Sequence, residues 1–176
     1  MNSPLEFHWS QKLMHWLMAI MVIAMLFIGI GMVNTVSDRH SLLLHLHKPL
    51  GIVILLLLIV RLFLRRRYGA PPLPDHMSSW QKRIAKMSHA LFYILLLAQP
   101  VCGILIGMLG ATPIQNVTSG GVPHPVSFSF VRDLHSILAY LLFGLILVHL
   151  TAALIHRFIY HDSVFGSMTF SKKSED

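Results

Sequence analysis

Four stretches of this chain are free, or nearly free, of Asp, Glu, Lys and Arg and are long enough to cross a bilayer. The first, Leu13 to Ser37, contains LMHWLMAIMVIAMLFIGIGMV. At about 1.5 Å per residue such a helix spans a hydrocarbon core of about 30 Å. In the second, PLGIVILLLLIV (Pro49 to Val60) is too short alone. The helix must therefore take in Lys48 and Arg61, whose long stems can snorkel from its two ends. The third run carries no charged residue from Met87 to Val131, but only its first half reads as helix. The remainder, GATPIQNVTSGGVPHPVSFSF, is rich in Gly, Pro, Ser and Thr and reads as a long loop. The fourth, LHSILAYLLFGLILVHLTAALIH, lies between Asp133 and Arg157. The expected fold is an all-α integral membrane protein, one four-helix transmembrane domain over residues 1–176 with spans at 13–34, 42–64, 87–109 and 134–157.

Composition agrees. Apolar residues make up 55% and charged ones 12%, and the mean hydropathy is +0.65. A soluble core of this length would not absorb that much apolar surface. The first run is too long for the apolar region of a secretory signal and lacks a nearby small-residue cleavage site, so it is read as an anchor. Ten basic residues (Lys12, Arg65, Arg66, Arg67, Lys82, Arg83, Lys86, Arg157, Lys172 and Lys173) flank one set of span ends, against Arg39 and Arg132 on the other. Basic flanks stay in the cytoplasm. Both termini and the middle loop are thus expected on the cytoplasmic side of the membrane. The net charge of +7 then serves topology and lipid contact, not nucleic-acid binding.

The single cysteine excludes a disulfide framework and a thiolate zinc cluster, and no CxxCH is present for covalent c-type haem. Only 7 Asp and Glu stand against 12 histidines, so carboxylate-built centres are disfavoured. Seven of the histidines, His15, His45, His47, His89, His135, His149 and His156, fall inside or at the edges of the spans. An imidazole facing lipid is costly unless it is paired, buried in the bundle or ligated. Neutral imidazole is the usual protein ligand of b-type haem iron.

His135 and His149 are the sharpest pair. Fourteen residues make nearly four helical turns, so both share one face about 21 Å apart along the axis. One helix can thus donate a ligand to each of two haems stacked across the membrane. At outer depth the partner is His45 or His47, which point about 200° apart, so at most one faces a haem. His47 is favoured because Gly51, one turn on in HKPLG, removes a side chain where a porphyrin would approach. At inner depth His15 stands opposite His149, with His156 and His89 as competing ligands or as neighbours of a proton-accepting site.

KLMHWLMAI, HKPLGIVILLLLIVRL, HALFYILLLAQPVCG and LHSILAYLLFGLILVHLTAALIHRFIYHDSVFGSM together resemble the bacterial cytochrome b561 family over nearly the whole chain. The ligand layout is also similar to that of the membrane cytochrome subunits of formate dehydrogenase and nickel–iron hydrogenase. The resemblance implies two b-type haems, with His15 and His149 on the inner iron and His47 and His135 on the outer one. His45 is the alternate, and Pro49 stands where relatives often show Ser. It also implies an oxidoreductase working with the quinone pool, oxidising superoxide to oxygen and reducing ubiquinone to ubiquinol. Arg39, Lys48 and Arg132 at the outer ends are candidates for attracting the superoxide anion. Lys12, His89 and His156 are candidates for the proton relay to quinone.

Two other functions remain to be separated from this one. A cytochrome anchor relaying electrons between quinone and a separate dehydrogenase would share every ligand. A histidine-rich metal transporter would be expected to use intramembrane Asp or Glu, and the helix interiors contain none. Trp9, Trp16 and Trp80 read as interface belt residues, and Gly103 with Gly107 has a GxxxG spacing suited to close helix approach.

Overall fold

A computed structural model describes residues 6–35, 37–110 and 125–170. Four long helices carry the fold: α1 (Trp9–Val33), α2 (Asp38–Tyr68), α3 (Ser79–Gly110) and α4 (Pro125–Phe158), followed by the single turn α5 (Ser163–Gly166). Each of the four is long and apolar enough to cross a membrane. Most of their large apolar side chains face outward, Phe27, Phe63 and Tyr140 among them. In water this would be ruinous, but lipid solvates such a surface as well as a protein core does.

The helices outrun the expected spans. Four residues before Leu42 and eight before Met87 are helical, because charged and polar turns at the membrane surface can continue a helix that a hydropathy window ends. The stretch 125–130, expected as loop, is the first turn and a half of α4. Pro125 opens that helix, where its fixed φ and missing N–H cost nothing. The rest of the expected outer loop, 111–124, lies outside the described residues.

Polar contacts tie the inner end together. At the start of α1 His8 and Gln11 form a capping box, satisfying N–H groups that a helix leaves open. Gln11 also donates to the Gly69 carbonyl at 2.9 Å, and the His8 ring stacks on Tyr68 at 4.0 Å. These contacts pin the beginning of α1 to the end of α2. Gly69 has φ +69°, a left-handed conformation that stops α2 and that a side chain would strain. Trp16 donates its indole N–H to the Met168 carbonyl at 2.9 Å, holding the chain beyond α5 against α1.

The helices pack as α1 on α2, α2 on α3 and α3 on α4, while α4 makes no extensive contact with α1 or α2. At mid-depth the bundle is closed by an apolar cluster of Met18, Val22, Ile54, Leu58, Leu95 and Leu142, to which all four long helices contribute. Leu142 lies halfway along α4 between His135 and His149. The cluster therefore separates two levels, each marked by a histidine of α4.

Candidate functional site

At the outer level α2 presents His47 to His135 of α4, with ring centres 6.0 Å apart. At the inner level α1 presents His15 to His149 of α4, with ring centres 6.3 Å apart. A metal–imidazole bond of about 2.0–2.1 Å, and about 1.1 Å from the bonding nitrogen to its ring centre, put two trans imidazoles about 6.2–6.4 Å apart. Both pairs stand near that spacing. Both also join helices that make little or no direct contact with each other.

The donor chemistry agrees. Among the described residues no set of three or more His, Cys, Asp or Glu is placed to hold a bare metal ion. Each pair could offer an imidazole nitrogen from either side to the iron of a b-type haem, whose porphyrin would supply the remaining ligands. His135 donates from Nδ1 to the Gln99 carbonyl at 3.1 Å, which leaves Nε2 bare for a metal. His47 Nδ1 is buried and has no hydrogen-bond partner. A Cβ at Gly103 would stand 3.7 Å from the His135 ring, and one at Gly29 would stand 3.9 Å from the His47 ring. Gly103 of the GxxxG spacing thus faces α4 within the bundle. A Cβ at Gly51 would meet the Met25 methyl of α1 at 3.5 Å, an ordinary contact distance. Its place one turn from His47 turns it toward the helix packed on α2. His45 is exposed on another face of α2.

The inner level is richer. His89 of α3 lies 5.8 Å from the His149 ring, with Phe92 edge-on at 5.2 Å. His89 and His149 stand on helices that pack directly on each other, unlike the two pairs above. His89 also lines a small cavity of about 40 Å³ with Phe7, Gln11, Arg61, Arg65, Tyr93 and Met168. Arg61 does not snorkel out of the helix as expected. It turns inward, and its Nη2 reaches His15 Nδ1 at 3.2 Å. The two polar groups at membrane depth satisfy each other better than either would against lipid.

His156 is drawn away from both pairs. Its Nδ1 contacts Asp162 Oδ2 at 2.5 Å, and His76 of the α2–α3 connection approaches the same oxygen at 3.2 Å. Asp162 also caps α5 by accepting from the Val164 N–H at 3.0 Å. Burial pushes this carboxyl up, but the Val164 N–H and the His156 and His76 rings outweigh it and hold the group below its ordinary value. Lys12 is buried in an ion pair with Glu6 at 2.8 Å. On the opposite side Arg39, Lys48 and Arg132 are all exposed, and Arg132 stands 3.8 Å from Asp133.

Arg61, Tyr93, Gln99 and His76 had no place in the sequence-based site. A charge within an apolar run was the available signal for Arg61. The others act through tertiary contacts that no local pattern announces.

Four lipid-facing helices with imidazoles set in facing pairs define a membrane cytochrome. The chain belongs to the prokaryotic cytochrome b561 family, whose description matches residues 6–171. It is 25% identical to cytochrome b561 homolog 1 of Escherichia coli K12 over 96% of this chain and 99% of that protein. To cytochrome b561 homolog 2 of the same organism it is 30% identical, over 99% and 96%. A probable superoxide oxidase CybB of Yersinia pestis is 28% identical over 73% of this chain and 75% of its own length. Members of the family bind b-type haem and transfer electrons in the membrane, so this is a multi-pass bacterial membrane protein of oxidoreductase type.

Proposed function

We propose that this protein is a di-haem b cytochrome of the bacterial inner membrane that oxidises superoxide and reduces ubiquinone. Two superoxide ions, one ubiquinone and two protons give two oxygen molecules and one ubiquinol. The observation that carries the reading is the pair of facing imidazoles at each of two levels of α4. His15 and His149 would hold the inner haem, and His47 and His135 the outer one. When bound, the haems supply the one-electron redox chemistry that the side chains lack.

The remaining residues suit the two half-reactions. Exposed Arg39, Lys48 and Arg132 give the outer surface a positive potential that draws in a small anion. In the proposed orientation both termini and the middle loop lie in the cytoplasm, so the inner level is the one nearest cytoplasmic protons. His89 lies between His149 and the inner cavity, where its ring can pass a proton toward a reduced quinone. His156, oriented by Asp162, is the second candidate for that relay, and Lys12 serves the same side through its pair with Glu6. The similarity to a probable superoxide oxidase supports superoxide as the electron donor.

The test uses purified protein. It should carry two haems per chain with sharp low-spin bands on reduction, consume superoxide and form ubiquinol without a partner. A coloured protein that performs neither half-reaction alone would instead be an anchor that relays electrons for a separate dehydrogenase. A colourless one would overturn the cytochrome reading itself.

A further inference from the structure

The contact between Arg61 and His15 conflicts with metal ligation. A guanidinium only donates hydrogen bonds, so His15 Nδ1 must accept with its lone pair. A neutral imidazole arranged in that way carries its proton on Nε2. Neither nitrogen is then free to bind a metal. For His15 to become a ligand, Arg61 must release it.

Its route away is the inner cavity. Arg61 and Arg65 sit one turn apart on α2 and both line that space, together with Tyr93 of α3. The ion pairs among the described residues are Lys12–Glu6, Lys82–Asp75, Arg132–Asp133 and those of His76 and His156 with Asp162. None involves Arg61. Two guanidinium groups thus converge on a cavity with no carboxylate in its lining. At about 40 Å³ it has room for a few waters or one carboxylate, and is too small for a quinone ring.

The group that would displace Arg61 from His15 brings carboxylates of its own. We propose that Arg61, supported by Arg65 and Tyr93, binds a propionate carboxylate of the inner porphyrin, exchanging an imidazole partner for an anionic one. The guanidinium thereby holds the porphyrin in place and raises the reduction potential of that haem alone. This assignment rests on the di-haem reading above.

Potentiometric titration of the purified, haem-loaded protein tests it. In Arg61→Gln one haem should become harder to reduce by about tenfold in its equilibrium constant, about 59 mV for one electron, while the other stays put. Arg61→Lys, which keeps the charge, should recover most of that shift. Infrared difference spectra with carbon-13 in the propionate carboxylates should show a band that moves in Arg61→Gln. Two haems with unchanged potentials and an unmoved band in Arg61→Gln would overturn the assignment and leave the di-haem reading intact. If Arg61→Gln instead loses a haem, apoprotein of wild-type sequence decides. At the affected site it should bind haem dimethyl ester at least tenfold more weakly than haem, and equal affinity would overturn the proposal. A wild-type protein lacking the inner haem would overturn both.

Discussion

His135 and Gln99 are joined across α3 and α4 by a hydrogen bond from the imidazole Nδ1 to a main-chain carbonyl at 3.1 Å. Because the acceptor belongs to the backbone of a neighbouring helix, the orientation of the ring depends on the packing of α3 on α4. It survives any change in the side chain at position 99. His47 Nδ1 has no such hydrogen-bond partner.

The facing of His47 and the exposure of His45 set an expectation for haem content. His47→Ala should lower the count from two haems to one per polypeptide, and His45→Ala should leave two. Pyridine haemochrome assay against protein concentration reads the outcome directly, and the opposite pattern would move the outer ligand to His45.

Gly103 offers a graded probe of the same level. An added methyl would meet the His135 ring at an ordinary contact distance of 3.7 Å, so Gly103→Ala should keep both haems. Gly103→Leu cannot be accommodated without turning the ring and should cost the outer haem. Reduced-minus-oxidised spectra of the two variants should differ by about half the absorbance.

His89 is expected to serve proton transfer without ligating iron. His89→Ala should retain two haems and slow ubiquinol formation by about 10²-fold, a usual contribution of a positioned acid or base. Rates of superoxide-driven haem reduction in the absence of quinone should be nearly unchanged. Loss of a haem in this variant would instead make His89 a ligand.

Asp162 predicts the acid behaviour of the C-terminal segment. Its folded pKa lies below the unfolded value of 3.8, so the charged carboxylate favours the folded state above that value. The benefit disappears as pH falls through the lower, folded value. Thermal midpoints of wild type should therefore exceed those of Asp162→Asn at pH 5, and the gap should close only below about pH 3.8. A constant gap down to pH 2.5 would mean that the charge of Asp162 contributes nothing.

The parts of the fold that lipid dictates were readable from the chain. A bilayer demands some twenty apolar residues per crossing, and the four helices follow from that demand. Helical periodicity likewise placed His135 and His149 on one face and set His45 and His47 apart. Surface turns escaped the reading because hydropathy registers Lys82, Arg83 and Lys86 as an interruption, although they continue α3. Arg61 was misjudged for a related reason. A long basic side chain near a helix end reaches either outward to headgroups or inward to a polar cluster, and only the position of His15 on another helix decides. One helical turn places Gly51 on the face of His47 without saying which helix stands opposite, and the neighbour found there is Met25 of α1. The clasp of His76, His156 and Asp162 joins three segments distant in sequence and had no local signature.

The apolar layer formed by Met18, Val22, Ile54, Leu58, Leu95 and Leu142 has an electrical consequence. It contains no group able to hand on a proton, so an electron moving between the two histidine levels travels as uncompensated charge. The levels are separated by roughly two-thirds of the hydrocarbon thickness. Such a movement then exchanges about 1.5 kcal/mol with the field for each 100 mV of transmembrane voltage. In the proposed orientation an inward-moving electron climbs toward the negative side, so an energised membrane would slow the protein and a discharged one would release it.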